Sequence, residues 1–489
     1  MHLITPDRPW PLHDVAATRA IEQAAAATLP PHTLMARAGL AVARLALAVA
    51  PHARTICVAC GPGNNGGDGF EAAMHLRQWG KQVIVIHSGD ESRTPVDAAT
   101  SLKRARDAGA IFARDVPANW DLAIDALLGI GSVRPMEGAM AALARSMAAS
   151  PAPVIAIDVP SGLDADTGAS AGAGAGTAVR ATHTLSLLTL KPGLFTAGGR
   201  DACGVVWFDE LGVDTSLHAT SARIVPKPRA RPRPHDSHKG TFGDVAVIGG
   251  ARGMTGAALL AASAALHCGA GRVLVALLDD AAMTVDATQP ELMFRNLAAL
   301  ELSAMSVACG CGGGAAVQAV LPRILSTARS LVLDADALNA IAGDTQLQTL
   351  LKARSRRNLP TVLTPHPLEA ARLLGTTAQQ VQSDRLGAAM QLANEFGCVA
   401  VLKGSGTIIA APGEVPAINI TGNGKLATGG TGDVLAGMIA AYLGPGASAF
   451  EAAADAVCMH GLTADRWPAG KSLTAGALAA ALDCGSSPQ

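Results

Sequence analysis

The sequence predicts an α/β protein of two domains, each built on a largely parallel sheet. Short β-branched runs alternate with Ala/Leu-rich helical stretches, the pattern of a parallel sheet covered by crossover helices. The chain has 489 residues, more than one ordinary core accommodates. A proline-rich basic stretch separates two such patterns.

In the first half, strands are expected at residues 55–58, 83–86, 122–124 and 154–157, each a β-branched run between helical stretches. That repetition suits a doubly wound sheet. Residues 226–234 then alternate proline with Lys, Arg and Ala, which forms neither helix nor sheet and reads as an extended spacer. A second α/β pattern opens at residues 245–248, with further strands expected at 272–278, 330–334, 361–364 and 399–403. The expected division is a first domain over 1–213, a linker over 214–235 and a second domain over 236–489. The Ala/Gly tract 169–176 reads as a mobile loop.

Composition excludes several classes. The net charge is −1, and aromatic residues are 3% with a single tyrosine, so neither a basic nucleic-acid footprint nor a base-stacking platform is present. The apolar tract 254–278 contains His267 and Arg272 and is broken by Gly269 and Gly271, so it reads as a buried helix and strand. Nine cysteines, mostly inside apolar runs, suit a reducing compartment. The Cys57/Cys60 spacing hints at a metal knuckle, but on a strand these residues face opposite ways. The N-terminus shows no apolar core behind a basic start. A soluble, cytoplasmic protein is expected.

In the first half, the strand from residue 55 runs into Gly61-Pro62-Gly63-Asn64-Asn65-Gly66-Gly67-Asp68-Gly69. Glycines 61, 63 and 66 match the dinucleotide fingerprint of an NAD-dependent oxidoreductase. That reading leaves Asn64, Asn65 and Asp68 without a purpose, and the acid expected after the next strand is poorly met. Two more strands end in carboxylates, Asp125 and Asp158, the latter followed by Val159-Pro160-Ser161-Gly162. Residues past the ends of neighbouring parallel strands converge on one crevice. Asn65, Asp125 and Ser161 therefore offer hard oxygen ligands to an alkali or alkaline-earth ion, and Asp158 an acid/base group beside it. The plain alternative for each aspartate is a helix N-cap.

The most informative stretch of the second half is Thr428-Gly429-Gly430-Thr431-Gly432-Asp433, directly before an apolar helix. Free N–H groups at a helix start form an anion site, and glycines let a phosphate approach closely. A carboxylate there would repel phosphate unless it had a task, and the economical task is to deprotonate an attacking hydroxyl. A glycine-rich turn capped by Asp433 is the plainer reading. Lys403-Gly404-Ser405-Gly406-Thr407 suits nucleotide phosphate but lacks the Walker spacing. His366, between two prolines, is either a structural histidine or a substrate contact. Asp334 and Asp336 carry no assignment.

With both halves in view, the chain resembles the bifunctional NAD(P)H-hydrate repair enzymes over nearly its whole length. The first half is similar to NAD(P)H-hydrate epimerase through residues 64–69, 129–135 and 158–162. The second is similar to the ADP-dependent (S)-NAD(P)H-hydrate dehydratase through His238-Lys239-Gly240, residues 253–257, 365–367, 403–407 and 428–433. The resemblance implies a Rossmann-like first domain and a ribokinase-like second one. It implies hydrate contacts at Asn64, Asn65, Gly66, Gly67 and Asp68, at Gly129, Ile130, Gly131, Ser132, Val133, Arg134 and Pro135, and at Asp158. Potassium ligands fall on Asn65, Asp125 and Ser161. In the second half, hydrate contacts fall on Ala257, Gly312, His366 and Asp433. Nucleotide contacts fall on Lys403, Gly404, Ser405, Gly406, Thr407 and Gly432, for ADP with magnesium. The chain departs from the family pattern at Cys311 and Gly313, where Gly-Pro-Gly-Leu-Gly is usual, at Leu368, and at residues 423–426.

The resemblance implies interconversion of R and S hydrates of NAD(P)H, with Asp158 as acid/base. It then implies dehydration of the S form, with Asp433 deprotonating a hydroxyl that takes a phosphoryl group from ADP. Expected partners are hydrated NADH and NADPH, ADP and further copies of the chain, with no nucleic acid and no membrane. A ribokinase-type small-molecule kinase fused to an unrelated domain is the competing enzyme reading. A first half reduced to a catalytically dead binding module is the competing binding reading.

Overall fold

The structure, a computed structural model, describes residues 1–131, 135–170, 178–228, 233–279, 283–444 and 447–483. It contains two compact units, Met1–Thr5 with Trp10–Ala222, and Pro6–Pro9 with Arg223–Gln489. Most of the expected loop over 169–176 lies outside the described residues, as do 229–232 of the proline stretch.

In the first unit the sheet runs His2–Leu3, Val205–Asp209, His183–Leu187, Val154–Ile157, Leu122–Ala126, Thr55–Cys60, Gln82–His87 and Ile111–Ala113. Only His2–Leu3 pairs antiparallel. From Thr55–Cys60 the chain steps outward through two strands, then returns to the other side of Thr55–Cys60 at Leu122–Ala126. The crevice beyond the carboxyl ends of those two strands is the switch point at which doubly wound sheets bind ligands. Ile56 and Val58 enter one core and Cys57 and Ala59 the other, so the strand is apolar without alternation. Cys57 and Cys60 are buried on opposite faces of the sheet, each in a different core. Helix Asn64–Gln78 follows so tightly that a Cβ on Gly66 would lie 2.1 Å from the Gly61 carbonyl oxygen.

In the second unit the order is Met293–Phe294, Arg272–Leu277, Asp244–Gly249, Ser306–Cys309, Ser330–Leu333, Thr361–Leu363, Val399–Leu402, Ile408–Ala410, Ala417–Ile418 and Ala222–Ile224. Pairing is parallel through Val399–Leu402 and antiparallel through the next two strands. Here the switch point lies between Asp244–Gly249 and Ser306–Cys309. Helix Thr431–Tyr442 packs on helix Thr255–His267 with no room for a side chain at the crossing. A Cβ on Gly437 would sit 1.9 Å from the Ala261 carbonyl oxygen. This contact sets Asp433 opposite the helix that carries Ala257.

The expected linker over 214–235 needs correction. Ala222–Ile224, inside it, is a strand in parallel register with Ala417–Ile418. Arg223 N–H donates to Pro416 O (2.9 Å) and Val225 N–H to Ile418 O (3.0 Å). The prolines begin only at Pro226, so the apolar residues before them are free to pair. Ile224 and Val225 are fully buried, worth roughly 1.5–3 kcal/mol each. A fragment beginning at Pro234 should therefore unfold at clearly lower temperature and denaturant than one beginning at Thr220. Equal midpoints in urea would show that this strand does not stabilise the second unit.

Candidate functional site

At the first switch point, Asp125 ends its strand fully buried. Its carboxylate accepts from Ser161 Oγ (2.6 Å), Ser161 N (2.9 Å) and Leu127 N (3.2 Å). Ser161 Oγ in turn accepts from Leu128 N (2.8 Å), tying two neighbouring strand ends together. Burial pushes the Asp125 carboxyl up, and those hydrogen bonds oppose it. Among the described residues no ammonium or guanidinium lies beside it. Asn65 Nδ2 is buried without a partner, and a Cβ on Gly129 would lie 3.3 Å from Asn65 Oδ1. Oxygen-bearing side chains around one uncompensated carboxylate fit a hard monovalent cation.

Asp158 follows the next strand in the left-handed region, with φ of 66°, a strained conformation for a residue with a side chain. Its Oδ1 accepts from Leu187 N (3.1 Å) and from Lys191 Nζ. Lys191 is fully buried and also donates to Leu187 O (2.8 Å) and Thr189 O (2.9 Å). Together Asp158 and Lys191 line a cavity of about 510 Å³ that also includes Arg19, Glu22, Asn64, Asn65, Asp68 and Gly129 to Gly131. Burial, then the nearby Asp158 and Glu22, hold the Asp68 carboxyl well above the usual carboxylate range. Of the expected substrate residues, Gly66 and Gly67 are buried packing positions. Ser132, Val133 and Arg134 lie outside the described residues, and Pro135 follows them without lining the cavity.

In the second unit, Asp433 is in the first turn of helix Thr431–Tyr442, entered through Gly430 at φ of 91°. The first N–H groups of such a helix have no intrahelical partner. Thr431 Oγ1 ties the turn to Leu426 O (2.9 Å) and Thr428 O (3.1 Å). Lys403 Nζ donates to Asp334 Oδ1 (2.6 Å), which also accepts from Thr364 Oγ1 (2.7 Å). A Cβ on Gly432 would lie 3.3 Å from Lys403 Nζ. Burial alone would lower the Lys403 ammonium, but Asp334 and Glu369 outweigh it and the net shift is upward. Burial, then Asp334, raise the Asp433 carboxyl to about 6. Gly312 abuts Ala257, since a Cβ there would meet the Ala257 Cβ at 2.9 Å.

Other expected residues have local duties. His366 caps helix Pro367–Leu374: its Nδ1 accepts from Leu368 N (3.1 Å) and Glu369 N (3.3 Å), and Glu369 Oε2 accepts from His366 N (2.8 Å). Its Nε2 faces Glu369 Oε1 at 3.3 Å, so both ring nitrogens are engaged within the unit. Gly404 and Gly406 take φ of 135° and 63°, and Thr407 Oγ1 donates back to Gly404 O (3.1 Å). Lys403 thus turns into the crevice while Ser405 lies on the outward turn.

A family model described as YjeF-related protein N-terminus matches residues 31–193, and one described as NAD(P)H-hydrate dehydratase matches residues 245–485. The bifunctional NAD(P)H-hydrate repair enzyme of Escherichia coli is 36% identical over 450 residues, covering 89% of this chain and 85% of that one. This chain belongs to the bifunctional NAD(P)H-hydrate repair enzyme family. The counterpart from Leishmania major is 35% identical over 479 residues, covering 88% and 84%. A solved ADP/ATP-dependent NAD(P)H-hydrate dehydratase from Bacillus subtilis, co-crystallised with ATP/Mg2+, aligns at 31% identity over 52% of this chain and 92% of that one, with a TM-score of 0.43.

Sequence reasoning missed Lys191, Cys311 and the role of Asp334. A lysine alone in the apolar stretch 185–195 was the available signal for the first. Removing one partner of a buried pair leaves the other uncompensated and costs about 3–5 kcal/mol. Lys191→Ala should therefore destabilise the first unit by that order. Asp158→Asn should cost less, because Lys191 keeps two carbonyl acceptors. Denaturant titration checks the ranking, and equal losses would contradict it.

Proposed function

We propose that this chain interconverts the R and S hydrates of NAD(P)H in its first unit. In its second unit it dehydrates the S form at the expense of ADP, giving NAD(P)H, AMP and phosphate. The observation that carries the reading is a carboxylate at each switch point beside a buried lysine–aspartate pair: Asp158 on Lys191, and Asp433 beside Lys403–Asp334.

In the first cavity, Asp158 exchanges the proton of the hydroxyl on the carbon beside the ring nitrogen. Losing and regaining that hydroxyl, or opening and closing the ring, interconverts the two faces. Lys191 fixes the Asp158 carboxylate in place. About 510 Å³ is ample for a hydrated nicotinamide ring. Asn65, Asp125 and Ser161 would hold a potassium ion, which when bound neutralises Asp125 and steadies the Gly129 to Gly131 segment. Potassium should then raise the unfolding temperature and the epimerisation rate more than sodium does. Asp125→Asn should abolish that difference, and equal effects of the two ions on the unmodified protein would count against the site.

In the second unit, Asp433 takes the proton of the substrate hydroxyl, whose oxygen attacks the terminal phosphorus of ADP and releases AMP. The phosphate ester then leaves with its C–O electron pair. A proton lost from the neighbouring carbon supplies the new double bond. Free N–H groups at Thr431 to Asp433 and the Lys403 ammonium face the transferred charge. The nucleotide contacts assigned to Lys403 through Thr407 and Gly432, and the magnesium that accompanies ADP, belong to this reading. So do a cytoplasmic location, in keeping with eight free cysteines among the described residues, and assembly as a homo-oligomer. Among those residues no helix is long and apolar enough to cross a membrane.

Mixed R and S hydrate with ADP tests the whole. Asp158→Asn should consume the S form and leave the R form apart from slow spontaneous epimerisation. Asp433→Asn should equilibrate the two and return almost no NADH, with losses of roughly 10²–10⁴ in rate for each positioned group. A stable phosphorylated sugar or vitamin as product, with no NADH recovered, would turn the reading to a small-molecule kinase.

A further inference from the structure

Cys311 stands in the glycine loop between strand Ser306–Cys309 and the following turn. It is fully buried. Flanking glycines at φ of 116° (Gly310) and 59° (Gly312) set the local backbone. The Cys311 carbonyl accepts from Gly250 N (2.9 Å), and Asp336 Oδ2 holds the end of the loop by accepting from Gly314 N (2.8 Å). The loop is therefore pinned on two sides. Its Sγ and one oxygen each of Asp334 and Asp433 lie within 4.8 Å of one another.

Resting on the dehydratase reading, we propose that the Cys311 thiol is a positioning residue for the reaction: it donates its S–H to the Asp433 carboxylate and so orients the proton acceptor towards the substrate hydroxyl. Burial, then Asp433 and Asp334, hold the thiol proton on sulfur well above the ordinary range, so the donor persists at working pH. Asp334 accepts from Lys403 and Thr364 through Oδ1, whereas Asp433 is the carboxylate that shares a side-chain hydrogen bond with the thiol. Besides Cys311, the charged groups around Asp433 are Asp334 from the end of its strand, Lys403 from the neighbouring one and Asp336 from helix Asp336–Ala342. Glu369 and the neutral His460 stand behind Lys403. Burial, Asp334 and Asp336 disfavour the carboxylate, while the thiol and Lys403 favour it.

The test is the pH dependence of S-hydrate dehydration by the full-length protein with ADP, for the unmodified chain, Cys311→Ala and Cys311→Ser. In the unmodified enzyme the rate should rise through about pH 6 as Asp433 loses its proton. Cys311→Ala should move that limb upward by about half a unit to one unit, since a hydrogen bond to the charged form favours that form. At pH 6 the rate should drop roughly two- to sixfold, with little change at pH 8. Cys311→Ser, which keeps a donor, should hold the limb at or below its original position. A limb unmoved in Cys311→Ala, or raised equally in both variants, would overturn the proposal. If Cys311→Ala does not fold, a limb raised in Cys311→Ser overturns it and one held or lowered supports it. Absence of NADH recovery by the unmodified enzyme at any pH would instead overturn the dehydratase reading.

Discussion

A charge taken out of water must meet an opposite charge or a set of hydrogen bonds, and in both halves of this protein a lysine–aspartate pair meets that constraint at the crevice. Lys191 is fully buried and rests on Asp158. Lys403 rests on Asp334, itself only 2% exposed. Breaking such a pair costs far more than forming it contributes, so each acts chiefly as a positional lock. Each lysine comes from the loop after one strand and each aspartate from the end of another. The pairs can form only once the parallel sheets have assembled. Folding and construction of the polar crevice are thus one event in each unit.

Close packing does the remaining placement. Helix Asn64–Gln78 lies against the turn before it without room for a side chain at Gly66, and helix Thr431–Tyr442 lies on Ala261 without room at Gly437. These approaches carry Asn65 and Asp433 to within reach of residues on other strands. The glycines that resemble a phosphate cradle in the sequence therefore divide into two kinds. Gly66 and Gly437 serve backbone contact inside the unit, whereas Gly430 and Gly432 leave amide groups open at a helix start.

This division explains what could be read from the sequence. Strands such as Thr55–Cys60 and Ser330–Leu333 are apolar on both faces and announce themselves. His183–Leu187 does not, because Thr184 and Ser186 are fully buried yet polar, satisfied by the Cys203 and Thr189 carbonyls. Ala222–Ile224 is too short beside the prolines that follow it. The places of Asp158, Asp125 and Asp433 at strand ends or at a glycine-rich helix start were legible because each stands beside further polar or glycine residues in the sequence. Lys191 was not, since its meaning depends on a partner 33 residues away. Pairing of Lys403 with Asp334 spans 69 residues and was hidden in the same way. His366 shows the converse: its flanking prolines suggest presentation at the crevice, and the capping box that its ring closes could not be read from them.

The second crevice keeps an excess of negative charge. Asp334, Asp336 and Asp433 face the Lys403 ammonium, and Glu369 lies close enough to act on it as well. A nucleotide polyphosphate brought to that crevice adds negative charge to a site already in deficit of positive charge. The dipole at the start of helix Thr431–Tyr442 offsets only about half an elementary charge. On the proposed reading, the balance must arrive with the nucleotide, as a divalent cation bound mainly by its phosphates and water, the usual habit of magnesium. The raised carboxyl of Asp433 follows from the same deficit. Crowded by burial and by Asp334, it binds a proton near pH 6. That makes it a stronger base than a solvated aspartate, while it still stands mostly ionised at neutral pH. Burial, and after it the negative charge of the crevice, thus equip Asp433 to take a proton from a hydroxyl.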